Sequence, residues 1–176
     1  MTRYVALLRG INVGTAKAVA MEDLRACFEG LGYTNVSTVL RSGNVVFDAT
    51  GAVEHAAIEK AVLEGTGVSS AVVVIEGSVF REIVAENPLA SVSTDPSRAL
   101  IQFLDAVPDD TDSGRPNDDD LLPERLAAGK RAIYQWCPDG ISKSKVPPKY
   151  FTNLGTAATG RNLRTAQKLV ALLDQP

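Results

Sequence analysis

Residues 1–76 switch between two hydrophobic periods in a fixed order, and that order narrows the fold more than any other feature of the chain. Arg3 to Leu8 is a short apolar run with β-branched and aromatic character, which predicts a strand. Met21, Leu24, Phe28 and Leu31 recur at helical spacing, and Glu22 and Asp23 place negative charge in a first turn. Gly32 is the expected stop. Val36 to Arg41 and Val45 to Phe47 predict two strands, joined by a hairpin turn at Ser42-Gly43-Asn44 in which glycine supplies positive φ. Val53, Ala57 and Ala61 predict one face of a second helix over 53–63, ended by Gly65-Thr66-Gly67. Ala71 to Ile75, dense in valine, predicts a closing strand. Strand, helix, strand, strand, helix, strand is the split βαβ or ferredoxin-like order. It implies an α+β unit in which two crossover helices cover one face of an antiparallel sheet.

The rhythm changes after Gly77, so residues 77–176 are expected to form a second, smaller α+β unit. Ser78 is placed to cap a helix carrying Val79, Phe80, Ile83 and Val84, and Asn87-Pro88 ends it. A strand comes next over 99–107, then an acidic, turn-rich loop near 108–120. Leu121 to Ala128 is expected to be a short helix and Arg131 to Cys137 a strand, which Pro138-Asp139-Gly140 turns into another short strand. Pro147 and Pro148 break the stretch beyond it. Leu163, Ala166, Leu169, Val170 and Leu173 make the apolar stripe of a final helix.

Composition sets the class. The chain has 176 residues, 45% of them hydrophobic and 22% charged, enough to build a core without staples. Cys27 and Cys137 are its two cysteines; they share no CxxC spacing and are read as reduced. The N-terminus has one basic residue and too short an apolar run for a signal peptide, and no segment is long enough to span a bilayer, so a cytoplasmic protein with no membrane partner is expected. The net charge of −3 hides an asymmetry. Residues 1–76 carry 6 Lys or Arg against 8 Asp or Glu, residues 77–129 carry 4 against 11, and residues 130–176 carry 8 against 2. The basic C-terminal segment suits an anionic ligand or the acidic middle of its own chain.

Three segments carry candidate chemistry. In RGINVG the glycines at 10 and 14 fit neither the GxGxxG nor the GxxxxGK[ST] pattern, and Lys17 lacks the following Ser or Thr. Arg9 nevertheless ends an apolar strand, where its charge must meet water, a carboxylate or an anion. RSGN at 41–44 is explained as a hairpin turn, and the sequence does not say whether it lies at the same end of the sheet as RGINVG. SKSK at 142–145 precedes TGRNLRT at 159–165. Thr159 or Asn162 can cap the final helix, while Arg161 before it and Arg164 in its first turn oppose the helix dipole. An anion held at that helix start accounts for the cations; an ion pair with the acidic middle segment is the structural alternative. Elsewhere, His55 is the only histidine, which removes His-rich metal sites and argues against a Ser-His-Asp triad. Tyr134 and Trp136 share a strand face and read as core or interface residues rather than as a stacking platform. Asp118 to Asp120 lack further evident ligands. No metal and no cofactor is expected.

Taken together, LLRGINVG, the helix from Met21, SGNVVF, ENPL at 86–89, GISKSK at 140–145 and TGRNLRTAQKL at 159–169 resemble, in this order and over nearly the whole chain, the uncharacterised bacterial family called domain of unknown function 1697. The resemblance implies an α+β fold of two subdomains, the first ferredoxin-like, and brings no established activity. Two positions depart from the family pattern. Thr15 stands where a second glycine is usual after INVG, and Leu163 stands where tryptophan is usual after RN, which removes an aromatic that could stack on a base.

The leading expectation is a binding protein for a small anionic ligand, a phosphorylated metabolite or a nucleic-acid end. Its site would be built from Arg9, Asn12, Ser42, Asn44, Lys143, Lys145, Arg161, Asn162 and Thr165. The cations neutralise charge and the neutral side chains orient the ligand. Extended duplex binding fits poorly with an acidic chain. One alternative is an enzyme acting on a phosphorylated substrate; its motifs hold no general base, so Asp48 or Glu76 would have to serve. The other is a structural or interaction module whose motifs only lock the two subdomains together. The sequence sets no oligomeric state.

Overall fold

The computed structural model describes residues 1–175. It is α+β and separates into two compact units, one of residues 1–80 with the stretch from Leu169 onward, the other of Arg81–Lys168. The first unit's sheet is fully antiparallel, in the order β2-β3-β1-β4. Its strands are β1 (Thr2–Leu8), β2 (Thr34–Val39), β3 (Asn44–Ala49) and β4 (Val72–Glu76). Helices α1 (Met21–Gly30) and α2 (His55–Thr66) occupy the two crossovers. The element order is the one expected from the sequence.

The helix-facing side of this sheet forms a core of Ala6, Leu8, Val45, Phe47, Val72 and Val74, with Leu24 and Phe28 from α1 and Ile58 and Val62 from α2. The buried side of α2 therefore centres on Ile58 and Val62, not on the Val53, Ala57 and Ala61 stripe, whose members are only half-buried. Phe47 is the hub of an aromatic cluster. Its ring centroid lies 4.6 Å from Tyr33, 5.1 Å from Phe28 and 5.6 Å from Tyr4, within the range where ring quadrupoles add to burial. The other side of the sheet is buried too, since Val5, Leu7, Val46, Val73 and Ile75 are at most 1% exposed. Burial on both faces explains why β3 and β4 read as continuous apolar runs rather than as alternating ones. Gly67 ends α2 in the left-handed conformation, and its N–H donates to the Leu63 carbonyl at 2.8 Å.

Two helices begin in one unit and end in the other: α3 (Gly77–Ala85) and α6 (Leu163–Leu173). The expected division at residues 76 and 77 did not foresee that the end of α6 belongs with the first unit. There Arg3 donates to the Leu172 carbonyl, and a Cβ on Gly77 would stand 3.0 Å from Leu173. Ser78 is inside α3 rather than before it, and its hydroxyl donates to Glu76.

The second unit carries β5 (Ala99–Leu104), β6 (Arg125–Ala128), β7 (Ala132–Trp136) and β8 (Ala158–Asn162), antiparallel in the order β6-β7-β5-β8. Several expectations need correction here. The short helix is α4 (Asp118–Leu121), and Arg125–Ala128 form a strand instead, paired with β7. The strand expected to end at 107 stops at Leu104. The segment after Gly140 is a 3-10 turn, Ile141–Lys143, rather than a strand. Pro148 opens a helix, α5 (Pro148–Asn153), because its fixed φ and missing N–H suit a first helical position. Thr159 lies inside β8, opposite Phe103. For Arg125–Ala128 and for Thr159, pairing with β7 and with β5 overrode the local signal. Leu104, Leu126, Ile133, Val146, Tyr150 and Leu154 form this unit's core cluster.

Candidate functional site

Three loops meet at one end of the first unit's sheet: the β1–α1 loop (9–20), the β2–β3 turn (40–43) and the α2–β4 loop (67–71). The β1–β3 ladder continues past Leu7 and Asn44, with the Leu8 N–H donating to the Gly43 carbonyl at 2.8 Å. The Arg9 N–H donates to the Ala71 carbonyl at 2.9 Å and to Ser70 Oγ at 3.1 Å, and that hydroxyl donates back to the Arg9 carbonyl at 2.9 Å. Asn12 ties the first loop to the turn. Its Nδ2 donates to the Arg41 carbonyl at 2.7 Å and to the Val19 carbonyl at 2.9 Å, while its Oδ1 accepts from the Val19 N–H at 2.9 Å. Gly43 is required where it stands, because a Cβ there would come within 2.7 Å of the Ile11 side chain. RGINVG and RSGN thus share one end of the sheet, which the sequence left open.

This end is cationic. Arg9, Lys17 and Arg41 are exposed, and none of the three loops contains an Asp or Glu. Lys17 Nζ lies 3.5 Å from the Ser69 carbonyl, which turns the lysine toward the third loop. The guanidinium groups of Arg9 and Arg41 have no hydrogen-bond or ion-pair partner among the described residues. The backbone is also unusual here. Asn12, Lys17 and Leu40 are three of the four non-glycine residues with positive φ among the described residues, at 54°, 51° and 58°. Gly10, Asn12 and Gly14 alternate left-handed with residues of negative φ, a pattern that turns successive N–H groups to one side.

Of the sequence candidates in this unit, Arg9 and Ser42 lie on exposed loop positions. Asn12 has its amide engaged by Val19 of its own loop and by the Arg41 carbonyl of the turn. Asn44 is fully buried, and its Nδ2 spans the hairpin to the Val39 carbonyl at 2.6 Å and Ser42 Oγ at 2.9 Å. Sequence reasoning did not select Lys17, Arg41 or Ser70. The absence of acidic residues from 9–20, 40–43 and 67–71 is the signal that could have found the two cations. Elsewhere in this unit a groove of about 400 Å³ runs between α1 and α2, lined by Ala26, Cys27, Gly30, Ala61 and Gly65 with Asp23 and Glu64 at its rim. Its carboxylates make it a poor place for an anion.

The candidates of the second unit are largely engaged in the fold. Glu124, 5% exposed, gathers the SKSK segment: its carboxylate accepts from Ser144 Oγ at 2.5 Å and from the Lys145 N–H at 2.8 Å. Gln135 Nε2 at 3.4 Å and Cys137 Sγ at 3.7 Å approach the same carboxylate. Burial, and then the Glu124 charge, push the Cys137 thiol up to about 12, so this cysteine is not a nucleophile at neutral pH. Lys145 Nζ donates to the Leu122 carbonyl at 2.7 Å. Lys143 is exposed beside a cavity of about 20 Å³, room for one water.

Arg161 is a strand residue of β8, paired with Ile101 and 8% exposed. Desolvation lowers its guanidinium to about 10. Asn162 caps α6 by accepting from the Thr165 N–H at 2.9 Å, so both residues serve the helix start. Arg164 sits on the 95–98 turn. The Asp95 carboxyl there is held low by the Ser97 hydroxyl and N–H, then by Arg98 and Arg164. Arg164 is tied to this turn through its backbone, its N–H donating to the Pro96 carbonyl at 3.3 Å, while the ion pair to Asp95 comes from Arg98 at 3.6 Å. Both cysteines are free thiols. Among the described residues no group of three or more His, Cys, Asp or Glu is placed to hold a metal, and no helix is long and apolar enough to cross a membrane.

No curated protein matches the sequence. The solved structure of the conserved bacterial protein SP0830 from Streptococcus pneumoniae is similar over 98% of this chain and 99% of that one, at 25% identity and a TM-score of 0.69. The sequence model of the family described as "Protein of unknown function (DUF1697)" matches residues 1–134. A match over that much of its length, in a chain of this α+β architecture, means that the protein belongs to the DUF1697 family.

Proposed function

We propose that the three-loop end of the first unit binds an anionic ligand, a phosphorylated metabolite or the phosphate end of a nucleic acid. One observation carries this reading. Three cations stand on loops that contain no carboxylate, and the guanidinium groups of Arg9 and Arg41 are not engaged by any protein group among the described residues. A guanidinium offers paired donors that match phosphate oxygens, and the carboxylate that α2 brings to this end, Glu59, is engaged by the Val72 N–H at 3.0 Å rather than by an arginine. Lys17 adds a point charge, while the Asn12 N–H is taken by the Lys17 carbonyl at 2.9 Å and shapes the loop rather than the ligand contact. Asn12, Asn44 and Ser70 hold the loops in register. A nucleic acid would be met at this end and not across the open sheet, because both sheet faces are buried. The loops hold neither carboxylate nor histidine, so the reading is of binding without general-base catalysis.

The test is calorimetric titration of the protein with inorganic pyrophosphate at low salt, repeated with Arg9→Ala, Arg41→Ala and the double variant. Each single change is expected to weaken binding about tenfold, in line with the loss of a charge-assisted hydrogen bond. Thermal unfolding should be unmoved. Pyrophosphate affinity that survives the double variant would put the anion elsewhere and end the proposal. For the second unit, the engagement of Lys145, Asn162 and Thr165 favours a structural role.

A further inference from the structure

The cationic end also displays apolar side chains. Val13 is 68% exposed and Leu40 is 47% exposed, both among the most exposed large hydrophobic residues of the chain. They stand on neighbouring loops, each next in sequence to a partner of the Asn12–Arg41 hydrogen bond that joins those loops. Leu40 is costly twice over. It holds a left-handed φ of 58°, a region that leucine rarely adopts, and it turns an apolar side chain to water. Glycine or asparagine would occupy that turn position without strain. Single exposed hydrophobics are ordinary, but a strained one beside a second, flanked by unengaged guanidinium groups, is not accounted for by the fold.

Resting on the reading of this end as an anion site, we propose that its ligand is a phosphomonoester with an apolar carbon body. Arg9 and Arg41 take the phosphoryl oxygens, and Val13 and Leu40 form the lips against which the carbon body lies. No aromatic side chain occurs in the three loops, so a base or ring is met by aliphatic contact and not by stacking on a platform. Leu40 is then a specificity-determining residue: it adds nothing to the grip on phosphate and everything to the choice among phosphates.

The experiment compares phenyl phosphate, inorganic phosphate and a 5′-phosphorylated hexanucleotide on the full chain by calorimetric titration. Phenyl phosphate is expected to bind at least tenfold tighter than inorganic phosphate. Leu40→Gly should bring that ratio to near one while the melting temperature holds or rises, because glycine suits the left-handed turn. Val13→Ser should lower the ratio severalfold. Leu63→Ser, an exposed leucine on α2, should leave it intact. A wild-type ratio near one, or a ratio that survives both loop variants, overturns the inference while the anion site stands. A hexanucleotide bound tenfold tighter than phenyl phosphate overturns it in favour of a nucleic-acid ligand. Absence of binding by any phosphate refutes the anion site itself.

Discussion

The loop end of the first unit and the GISKSK–TGRNLRT region of the second are built from the same residue types and use them in opposite ways. In the second unit the polar atoms are spent on structure: Glu124 gathers Ser144 and Lys145, Asn162 caps α6, and Arg161 is buried in a strand. In the first unit the asparagine amide and the backbone groups do the holding, and the cationic side chains are left over. A motif rich in Arg, Lys, Asn and Ser is therefore not yet a site. What separates the two regions is whether a charged group already has a partner, because a guanidinium engaged in the fold has lost the donors that an anion needs.

The contrast can be broken at several points. Alkaline pH should act most strongly, and on the second unit. Cys137 is raised from 9 to about 12 and Tyr134 from 10 to about 12, both chiefly by burial. An acid whose folded pKa is raised contributes its full stability below its unfolded pKa and loses it as pH climbs toward the folded value. Stability should hold below pH 9 and fall between pH 9 and 12. Trp136, the only tryptophan, lies on β7 and reports this by fluorescence. A flat denaturation midpoint from pH 8 to 11 would contradict the burial of both groups. Next in size is Glu124→Ala, which strands the donors of Ser144 and Lys145 and is expected to cost about 3 kcal/mol in urea denaturation. A loss under about 1 kcal/mol would mean that the SKSK segment is held by something else.

Asn12→Ala removes the link between two loops at a left-handed position. It should cost about 2 kcal/mol and weaken pyrophosphate binding as well, so that stability and affinity fall together. Asn162→Ala should cost about 1 kcal/mol as the loss of a helix cap with no change in affinity. The smallest effect on stability, within about 0.5 kcal/mol, is expected for Arg9→Ala and Arg41→Ala, which should instead lower affinity. If these two arginine variants unfold easily, their side chains belong with the spent groups and the contrast disappears.

Much of the first unit was legible in the sequence because its signals are periodic. Met21, Leu24, Phe28 and Leu31 mark α1, and the valine runs mark β3 and β4. The second unit was harder to read. Leu126 to Ala128 has no alternation that distinguishes strand from helix, and its pairing with Ala127↔Tyr134 decided the matter. Thr159 and Arg161 looked like a helix entry because Asn162 is one; the strand before it is sustained by β5 on one side only. Of the candidate site, Ser42 stands in the turn its sequence predicts, and Arg9, expected to end a strand, stands on the loop one residue past β1. Arg41 escaped notice because it stands in a turn that glycine already explained. Asn12 and Asn44 were read for their chemistry, and nothing local tells an amide that binds a ligand from one that binds the backbone.

The sequence by itself determined the α+β class, the strand and helix order of the first unit, the turns and the places where charge collects. These come from periodicity, from glycine at positive φ and from composition, all of which act over a few residues. Only the tertiary structure decided that residues 9–20, 40–43 and 67–71 share one end of a sheet, that the end of α6 belongs with β1, and which polar groups were already engaged. Those outcomes depend on pairings between residues far apart in the chain, such as Asn12 with Arg41 and Arg3 with Leu172. Hydrogen-bond partners are consumed in space rather than along the chain, so the charges left over for a ligand can be counted only after the fold has taken its share.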